Sequence, residues 1–193
     1  MTTHAPPANE APPGGATVWL TGLPGAGKST LAIGLARCLR AQGRAACVLD
    51  GDALRRGLSA DLGFGARDRE ENVRRAAELA LLVAQAGVVA VVSLVSPYAA
   101  HRTSARARHR CAGIPFVEVF VDTPPEECRR RDPKGLYARA ERGEITGLTG
   151  VDDPYEPPAH PDVRVPAGAL SPDRCVDMVA MALGEPASET AGA

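Results

Sequence analysis

A glycine-rich segment near the start of the chain has the residue types of a phosphate-binding loop. Its sequence is Gly22-Leu23-Pro24-Gly25-Ala26-Gly27-Lys28-Ser29-Thr30, which fits the pattern of glycine, four residues and Gly-Lys-Ser. Glycines let backbone N–H groups turn inward around phosphate oxygens, and a helix that begins at the loop adds the positive end of its dipole. Lys28 can reach the β- and γ-phosphates, and Ser29 can ligate Mg²⁺. The segment therefore predicts binding of a nucleoside triphosphate with magnesium, rather than a glycine-rich turn without a ligand.

Two acids follow the second predicted strand, in the segment Asp50-Gly51-Asp52. Carboxylates beside a phosphate-binding loop can hold magnesium or accept a proton from the hydroxyl group of an acceptor. Asp52 could instead cap a helical turn that begins at Ala53. The two roles are compatible, so the pattern indicates a site for metal and acceptor, with capping as the structural alternative.

A further group of chemistry-bearing residues lies between residues 64 and 72. Arg69 and Asn72 are three residues apart in a predicted helix, so they share one helix face. Phe64, one of only three phenylalanines, lies in a polar loop. It could stack on a flat base, or it could fill the core beneath the loop. The sequence leaves these two alternatives open.

Positive charge is concentrated at residues 129–134, which include three arginines and a lysine. These cations could offset the dipole of a solvated helix end. They could also belong to a mobile lid, at about 129–150, that closes over phosphates and excludes water. Asp132 precedes a proline, which disfavours helix there and predicts a hinge. Lys28 and Lys134 are the only lysines among 22 basic residues, a hint that these positions need a compact ammonium group.

The elements that must position these residues alternate between strand and helix. Hydrophobic patterns predict strands at 17–21, 45–49, 88–93, 116–121 and 162–165. They predict helices at 28–42, 67–86, following Pro97, opening at Pro124, and at 171–183 with Ser171 as N-cap and Pro172 at the first position. Such alternation is typical of an α/β fold with a doubly wound parallel sheet and helices on both faces. Ligands in this fold class bind at the carboxyl ends of the strands, where the motifs lie.

Composition bounds the remaining possibilities. The chain has 193 residues, 45% hydrophobic, which suits one domain at 17–184 with a disordered leader at 1–16 and a flexible tail at 185–193. A net charge of −1 disfavours a general nucleic-acid binder. Neither a membrane span nor a secretory signal is expected from the apolar pattern. Five scattered cysteines without the spacing of a zinc or redox motif favour reduced thiols and a cytoplasmic location.

Taken together and in order, the motifs resemble the adenylylsulfate kinase family, over about Thr17 to Tyr155. The segments that carry the resemblance are Gly22–Thr30, Leu49–Leu58, Asp61–Phe64, Arg69 with Asn72, Ser93–Tyr98, Phe116–Pro124, Arg131–Tyr137 and Thr149–Glu156. The resemblance implies a P-loop NTPase-type kinase domain with a lid. It implies transfer of phosphate from ATP, with Mg²⁺, to the 3′-hydroxyl of adenosine 5′-phosphosulfate. The product would be 3′-phosphoadenylyl sulfate, the activated sulfate used in assimilation and sulfation.

The resemblance also implies roles for individual residues. The catalytic residues would be Lys28, Asp52, Ser96 and Lys134. ATP would be bound by Gly22, Leu23, Pro24, Gly25, Ala26, Gly27, Lys28, Ser29, Thr30 and Arg131. The adenylylsulfate would be bound by Asp52, Arg55, Phe64, Arg69, Asn72, Val95, Ser96, Lys134 and Leu148. The magnesium residues would be Ser29 and Asp50. Ser96 is the family's proposed phosphoserine, but direct in-line transfer leads us to expect that it contacts the bound nucleotide instead.

Three positions depart from the family pattern. Leu148 replaces an aromatic residue that forms the second wall of an adenine sandwich, and a leucine covers a ring face without stacking geometry. Pro24 replaces a frequent serine, and residues 99–101 lack a frequent arginine and acid. These departures leave open a kinase for another nucleotide-like or small hydroxyl acceptor, or a regulatory nucleotide-binding module that partners a sulfurylase. The family also suggests a homodimer and a functional link to an ATP sulfurylase.

Overall fold

A computed structural model describes residues 14–184, which form a parallel sheet of five strands and seven helices. The strands are β1 (Ala16–Thr21), β2 (Ala46–Asp50), β3 (Val89–Ser93), β4 (Phe116–Val121) and β5 (Val163–Val165). The helices are α1 (Lys28–Ala41), α2 (Gly51–Arg55), α3 (Ala66–Gln85), α4 (Ala99–Cys111), α5 (Pro125–Arg131), α6 (Leu136–Glu141) and α7 (Pro172–Ala182). The strand order is β2-β3-β1-β4-β5, and every pairing is parallel.

The core lies in two layers, one on each face of the sheet. Alternate residues of β1 point to opposite faces, so Val18 and Leu20 join one apolar cluster and Trp19 joins the other. Helices α1 and α7 cover the first face, and α3 and α4 cover the second. Because β1 and β3 are covered on both faces, their residues are buried throughout. The predicted doubly wound α/β fold is therefore confirmed.

Most predicted elements occur within one or two residues of their expected bounds, and Ser171 caps α7 as expected. The helix predicted to follow Pro97 begins two residues later, at Ala99. Glu156 contacts this junction, because its N–H donates to the carbonyl oxygen of Pro97 at 2.9 Å and its carboxylate accepts from the N–H of Ala99 at 2.7 Å. Pro124 likewise caps the next helix rather than opening it, since α5 begins at Pro125.

Two short helices, α2 and α6, were not predicted. Five or six residues are too few for hydrophobic periodicity to be visible, so both helices depend on capping and tertiary contacts. The predicted leader extends into β1, which begins at Ala16. Residues 1–13 of the predicted leader and the tail, 185–193, lie outside the described residues. The five cysteines form no disulfide bond, and no helix within 14–184 is long and apolar enough to cross a bilayer.

One titratable group, His109 of α4, is completely buried in the second layer. Its Nδ1 atom lies 2.8 Å from the carbonyl oxygen of Ala105, which can only accept, so Nδ1 carries the proton. Its Nε2 atom then accepts from the hydroxyl of Thr17 at 2.9 Å. The neutral ring satisfies both bonds, and burial lowers the pKa of His109.

We therefore expect stability to fall as the pH is lowered from 7 to 5. Below about pH 6.5 the unfolded chain takes up a proton at this histidine that the folded chain does not, so the free energy of unfolding decreases. One proton limits the slope to about 1.4 kcal/mol per pH unit. Urea unfolding at each pH measures it. His109→Gln should flatten the decrease over this range, whereas the exposed His160→Gln should keep it. An unchanged slope in His109→Gln would contradict the assignment.

Candidate active site

The phosphate-binding loop connects β1 to α1, as the sequence predicts. Gly27 caps α1 with φ 102°, and Gly25 has φ 77°, both in the left-handed region that glycine tolerates. A Cβ atom on Gly25 would also lie 2.9 Å from the carbonyl oxygen of Cys128. The loop therefore makes the tight turn in which successive N–H groups can face an anion at the helix N-terminus.

Lys28 lies inside this loop and is almost wholly buried. Its Nζ atom donates hydrogen bonds to the carbonyl oxygens of Gly22 and Leu23, at 2.9 and 2.8 Å. Burial lowers the pKa of Lys28 to about 8, because desolvation disfavours the ammonium form. A nearby phosphate would favour that charged form, so this lysine is suited to an anionic ligand.

Ser29 and Asp50 meet beside the loop. The Ser29 hydroxyl donates to Asp50 Oδ2 at 2.7 Å, and its oxygen lies 3.4 Å from that of Ser93. Asp50 Oδ1 accepts from the N–H groups of Asp52 and Ala53, at 3.0 and 3.4 Å. Burial alone would raise the pKa of Asp50, but these hydrogen bonds outweigh it and the pKa lies below its usual value. Asp50 is thus the cap of α2, and the structural alternative in which Asp52 caps this turn is wrong.

The oxygen atoms of Ser29 and Asp50 are hard ligands of the kind that Mg²⁺ prefers. Within residues 14–184, no three His, Cys, Asp or Glu side chains cluster as a metal cage. Magnesium at kinase sites is usually held by one or two protein oxygens together with phosphates and waters. The donor set therefore fits a nucleotide-bound magnesium ion rather than a structural metal.

Asp52 forms an ion pair with Lys134, a residue of the predicted lid. The two residues are 82 positions apart in the chain, and both side chains are 54% exposed. Asp52 lies on α2 directly after β2, and Lys134 lies between α5 and α6. The fold therefore brings the carboxylate of one motif to the ammonium group of another, next to the phosphate-binding loop.

The predicted lid segment contacts the phosphate-binding loop through α6. The buried Tyr137 donates from its hydroxyl to the carbonyl oxygen of Pro24 at 3.0 Å. Asp132 ends α5 with φ 26°, and its carboxylate accepts from the N–H groups of Tyr137 and Ala138 at 3.2 and 3.0 Å. The predicted break at Asp132 is therefore present, and its carboxylate accepts from N–H groups in the first turn of α6. Sequence reasoning missed Tyr137 as the residue that joins lid and loop.

Arg131 lies at the end of α5, beside the phosphate-binding loop. Its guanidinium donates to Glu127 Oε1 at 2.7 Å and to the carbonyl oxygen of Ala167 at 3.0 Å. A Cβ atom on Gly27 would lie 3.7 Å from its Nη1 atom. The structure thus places Arg131 next to the start of α1, where a nucleotide bound by the loop would be within reach.

Phe64 is exposed, with 64% of its surface accessible. The alternative in which it fills the core is therefore wrong. The guanidinium carbon of Arg55 lies 4.4 Å from the centre of its ring, and Arg55 donates to the carbonyl oxygen of Gly63 at 2.8 Å. An exposed ring that is backed by a cation can receive a flat base on its free surface.

Arg69 and Asn72 occupy one face of α3, and both are buried. Arg69 donates to the carbonyl oxygens of Phe64 and Gly147, at 2.8 and 2.5 Å, so it joins the loops on either side of the predicted acceptor site. Asn72 Oδ1 is buried and makes no hydrogen bond to the described part of the chain. A buried amide oxygen without a partner is costly, which is typical of a group that binds a ligand.

Ser96 follows β3 in a turn with Val95 and is 3% exposed. Its hydroxyl oxygen accepts from the indole N–H of Trp19 at 3.1 Å, and its φ of 39° is unusual for a residue other than glycine. The hydroxyl of Thr21 donates to the carbonyl oxygen of Val95 at 2.7 Å. Ser96 is thus held inside the protein and is poorly placed to attack a phosphate.

Leu148 is 8% exposed and belongs to the main core cluster. Its N–H donates to Asp152 Oδ1 at 2.7 Å, in a tight loop that begins at Gly147. Arg69 donates to the carbonyl oxygens of both Phe64 and Gly147, so the backbone segments that carry the two predicted walls of the adenine site lie close together. Contact between Leu148 and the acceptor remains a prediction.

One residue in the predicted acceptor region received no role from the sequence. Asp153 lies 3.5 Å from Arg69, accepts from the Tyr98 hydroxyl at 3.1 Å and accepts from Thr149 at 3.2 Å. It therefore connects α3, the turn after β3 and the loop at 147–153. The motif Asp-Asp-Pro-Tyr-Glu is visible in the sequence, but these partners come from separate segments.

Known proteins are similar to this chain in the sequence and fold described above. The model of the family described as adenylylsulphate kinase matches residues 14–166. A bifunctional enzyme CysN/CysC of Mycobacterium tuberculosis is 54% identical over 170 residues, 88% of this chain. This chain spans only 27% of that relative. An adenylyl-sulfate kinase of Paraburkholderia xenovorans is 51% identical over 163 residues, which cover 84% of this chain and 89% of that protein.

A solved structure of an APS kinase is also similar to this chain. It is that of the Mycobacterium tuberculosis APS kinase CysC in complex with AMPPNP and APS, with a TM-score of 0.87 and 52% identity. The likeness covers 89% of this chain and 99% of that one. The sequence motifs, the parallel sheet and these matches agree, and the chain belongs to the adenylylsulfate kinase family.

Proposed function

We propose that this protein transfers the γ-phosphoryl group of ATP to the 3′-hydroxyl of adenosine 5′-phosphosulfate. The observation that carries the proposal is the ion pair of Asp52 and Lys134 beside the loop that holds Lys28. The carboxylate can take a proton, and the ammonium group can offset phosphate charge. Both lie beside the loop that would hold the γ-phosphate of ATP. The product is 3′-phosphoadenylyl sulfate, an activated form of sulfate.

ATP is held by the loop at 22–30 and by Arg131. The N–H groups at the start of α1 surround the phosphates, and Lys28 exchanges its two carbonyl partners for phosphate oxygens. Ser29 and Asp50 are the residues that hold magnesium with the nucleotide. Magnesium, when bound, offsets the charge on the β- and γ-phosphates.

The acceptor is held on the other side of Asp52. Phe64 stacks on its adenine ring, and Leu148 covers the opposite ring face. The guanidinium groups of Arg55 and Arg69 face the phosphate–sulfate anhydride, because planar forks of N–H donors match such oxygens. The unpartnered oxygen of Asn72 accepts a hydrogen bond from the acceptor.

Transfer is direct and in line. Asp52 accepts the proton of the 3′-hydroxyl while that oxygen bonds to the γ-phosphorus, and the bond from this phosphorus to the bridging oxygen of ADP breaks. Lys28 and Lys134 offset the charge that develops on the phosphate oxygens. The lid at about 129–150 excludes water, so the phosphoryl group goes to the sugar. Ser96 contacts the bound adenylylsulfate and is not phosphorylated during the reaction.

We also propose a functional link to an ATP sulfurylase; its support is that the relative named as a bifunctional enzyme extends well beyond the 27% of its length that this chain spans. A homodimer remains a proposal for this chain. Both are to be tested on the protein itself, by mixing with a sulfurylase and by sedimentation.

The proposed reaction is tested by ADP release from Mg·ATP with adenylylsulfate, AMP, adenosine or water as acceptor. We expect release that depends on adenylylsulfate, with a product heavier than the acceptor by one phosphoryl group in mass spectrometry. Release that ignores the acceptor would instead indicate an NTPase. Nucleotide binding without release would indicate a regulatory module, and faster release with another acceptor would redirect the substrate assignment.

Lys28→Ala should lower kcat by at least about 10²-fold, because a charge contact that strengthens in the transition state is removed. The matched control is Arg37→Ala, which removes an exposed cation from the same helix. Steady-state kinetics of both variants measure the difference. Turnover of Lys28→Ala close to that of the unchanged protein would refute the proposed mechanism.

Phe64→Ala should raise the KM for adenylylsulfate by roughly 5- to 150-fold, since stacking of one base on an aromatic ring contributes about 1–3 kcal/mol. The unfolding temperature should stay nearly constant, because the ring is 64% exposed and outside the core. Leu82→Ala is the control, as Leu82 has the same exposure on α3. Equal KM values in all three proteins would show that Phe64 does not contact the adenine.

A further inference from the structure

The turn at Ser96 is held in a conformation that a serine does not favour. Ser96 and Asp132 are the two non-glycine residues with positive φ between Gly14 and Gly184. A left-handed backbone is strained for such a residue, so surrounding contacts must hold it. At Asp132 the residue's own side chain supplies contacts by capping α6. At Ser96 the contacts come from elsewhere in the fold.

Arg102 supplies the shortest of these contacts. Its Nη1 atom donates to the carbonyl oxygen of Ser96 at 2.7 Å, in the turn that Trp19 also holds through the serine hydroxyl. The Arg102 side chain is 2% exposed, and its Nε atom donates to Glu118 Oε1 at 2.8 Å. A buried guanidinium needs such an acid, because an unpaired buried charge is strongly destabilising.

The same guanidinium reaches a third segment. Its Nη2 atom donates to the carbonyl oxygen of Glu156 at 2.7 Å. Glu156 in turn donates from its N–H to Pro97 and accepts from Ala99, so the turn after β3 is joined to the segment at 153–156 on both sides. Arg102 therefore fixes two backbone segments relative to each other.

Both segments line the proposed acceptor site. The first carries Val95 and Ser96. The second carries Asp153, which contacts Arg69 and the hydroxyl of Tyr98. A small shift between the two segments would therefore change the positions of Ser96 and Asp153 relative to each other. Arg102 would cause this shift indirectly, because its own side chain is buried.

We propose that Arg102 is a positioning residue that sets the geometry of the acceptor site through the Ser96 turn. This inference rests on the proposed function. A planar fork with donors in fixed directions can serve Ser96, Glu118 and Glu156 at once, whereas a lysine ammonium group is a compact point charge on a flexible stem. Arg102→Lys keeps the charge for Glu118 and loses the fork. ATP is bound on the opposite side of the site, by the loop at 22–30 and Arg131, so its binding should not depend on Arg102.

The experiment is steady-state kinetics of Arg102→Lys with each substrate varied in turn, together with calorimetric binding of adenylylsulfate in the presence of Mg·ADP. We expect the KM and the Kd for adenylylsulfate to rise about 10-fold or more, with the KM for ATP within about twofold of its original value. The control is Arg106→Lys, because Arg106 also pairs with Glu118, at 3.4 Å, and has no hydrogen bond to Ser96 or Glu156. That control should change neither KM by more than about twofold.

A purely structural role for Arg102 predicts a different pattern. It would lower the unfolding temperature and the fraction of active protein while both KM values stayed constant, and that result would overturn the proposal. Should Arg102→Lys fail to fold, Glu118→Gln replaces it. The amide oxygen still accepts from Arg102, whereas the charge and the second acceptor oxygen, which faces Arg106, are lost, so Arg102 is held less firmly. A rise of about threefold in the KM for adenylylsulfate alone is then expected. An unchanged KM would overturn the proposal.

The two hypotheses fail in different ways. If the unchanged protein neither binds nor phosphorylates adenylylsulfate, the proposed function is wrong, and the role of Arg102 towards that acceptor is wrong with it. If the unchanged protein does both and Arg102→Lys retains its KM and Kd, only the positioning role is wrong.

Discussion

Parallel pairing of the strands β1, β2 and β3 is the constraint on which the rest of the structure depends. Parallel strands present all their carboxyl ends at one edge of the sheet, so the segments that follow them meet there. The phosphate-binding loop follows β1, the acids Asp50 and Asp52 follow β2, and the Ser96 turn follows β3. Burial on both faces fixes the register of β1 and β3, because a shift of one residue would turn apolar side chains away from their core.

Each of three cationic side chains at this edge of the sheet bonds to oxygen atoms of the protein. Lys28 is bonded to loop carbonyl oxygens, Lys134 to Asp52, and Arg69 to the carbonyl oxygens of two loops. Each cation therefore has partners that a phosphate or sulfate oxygen can replace. Such exchange keeps the charged groups in place without leaving them unpaired, which is important because buried charges without partners are strongly destabilising. The pair of Lys134 and Asp52 also joins the predicted lid segment to α2.

Large parts of this arrangement could be predicted from local patterns. Apolar runs and helical periodicity located the five strands and the five longer helices, because burial on a sheet or helix face leaves a regular signal. The phosphate-binding loop was predictable because its backbone turn requires glycines at set positions. The helices α2 and α6 were not predictable in this way, since they are short and their first turns are stabilised by the carboxylates of Asp50 and Asp132. The choice between Asp50 and Asp52 as cap depends on a side-chain direction that no pattern encodes.

The sequence by itself determined the family, the fold class and the types of residue that surround the phosphates, because these depend on local spacing. Only the tertiary structure decided which groups meet across long separations. The indole of Trp19 and the hydroxyl of Ser96 are 77 positions apart, and Lys134 and Asp52 are 82 apart. It also decided that Phe64 is exposed while Arg102 is buried. The physical reason is that burial and hydrogen-bond partners depend on which elements pack together, and packing brings together residues whose separation in the chain carries no periodic signal.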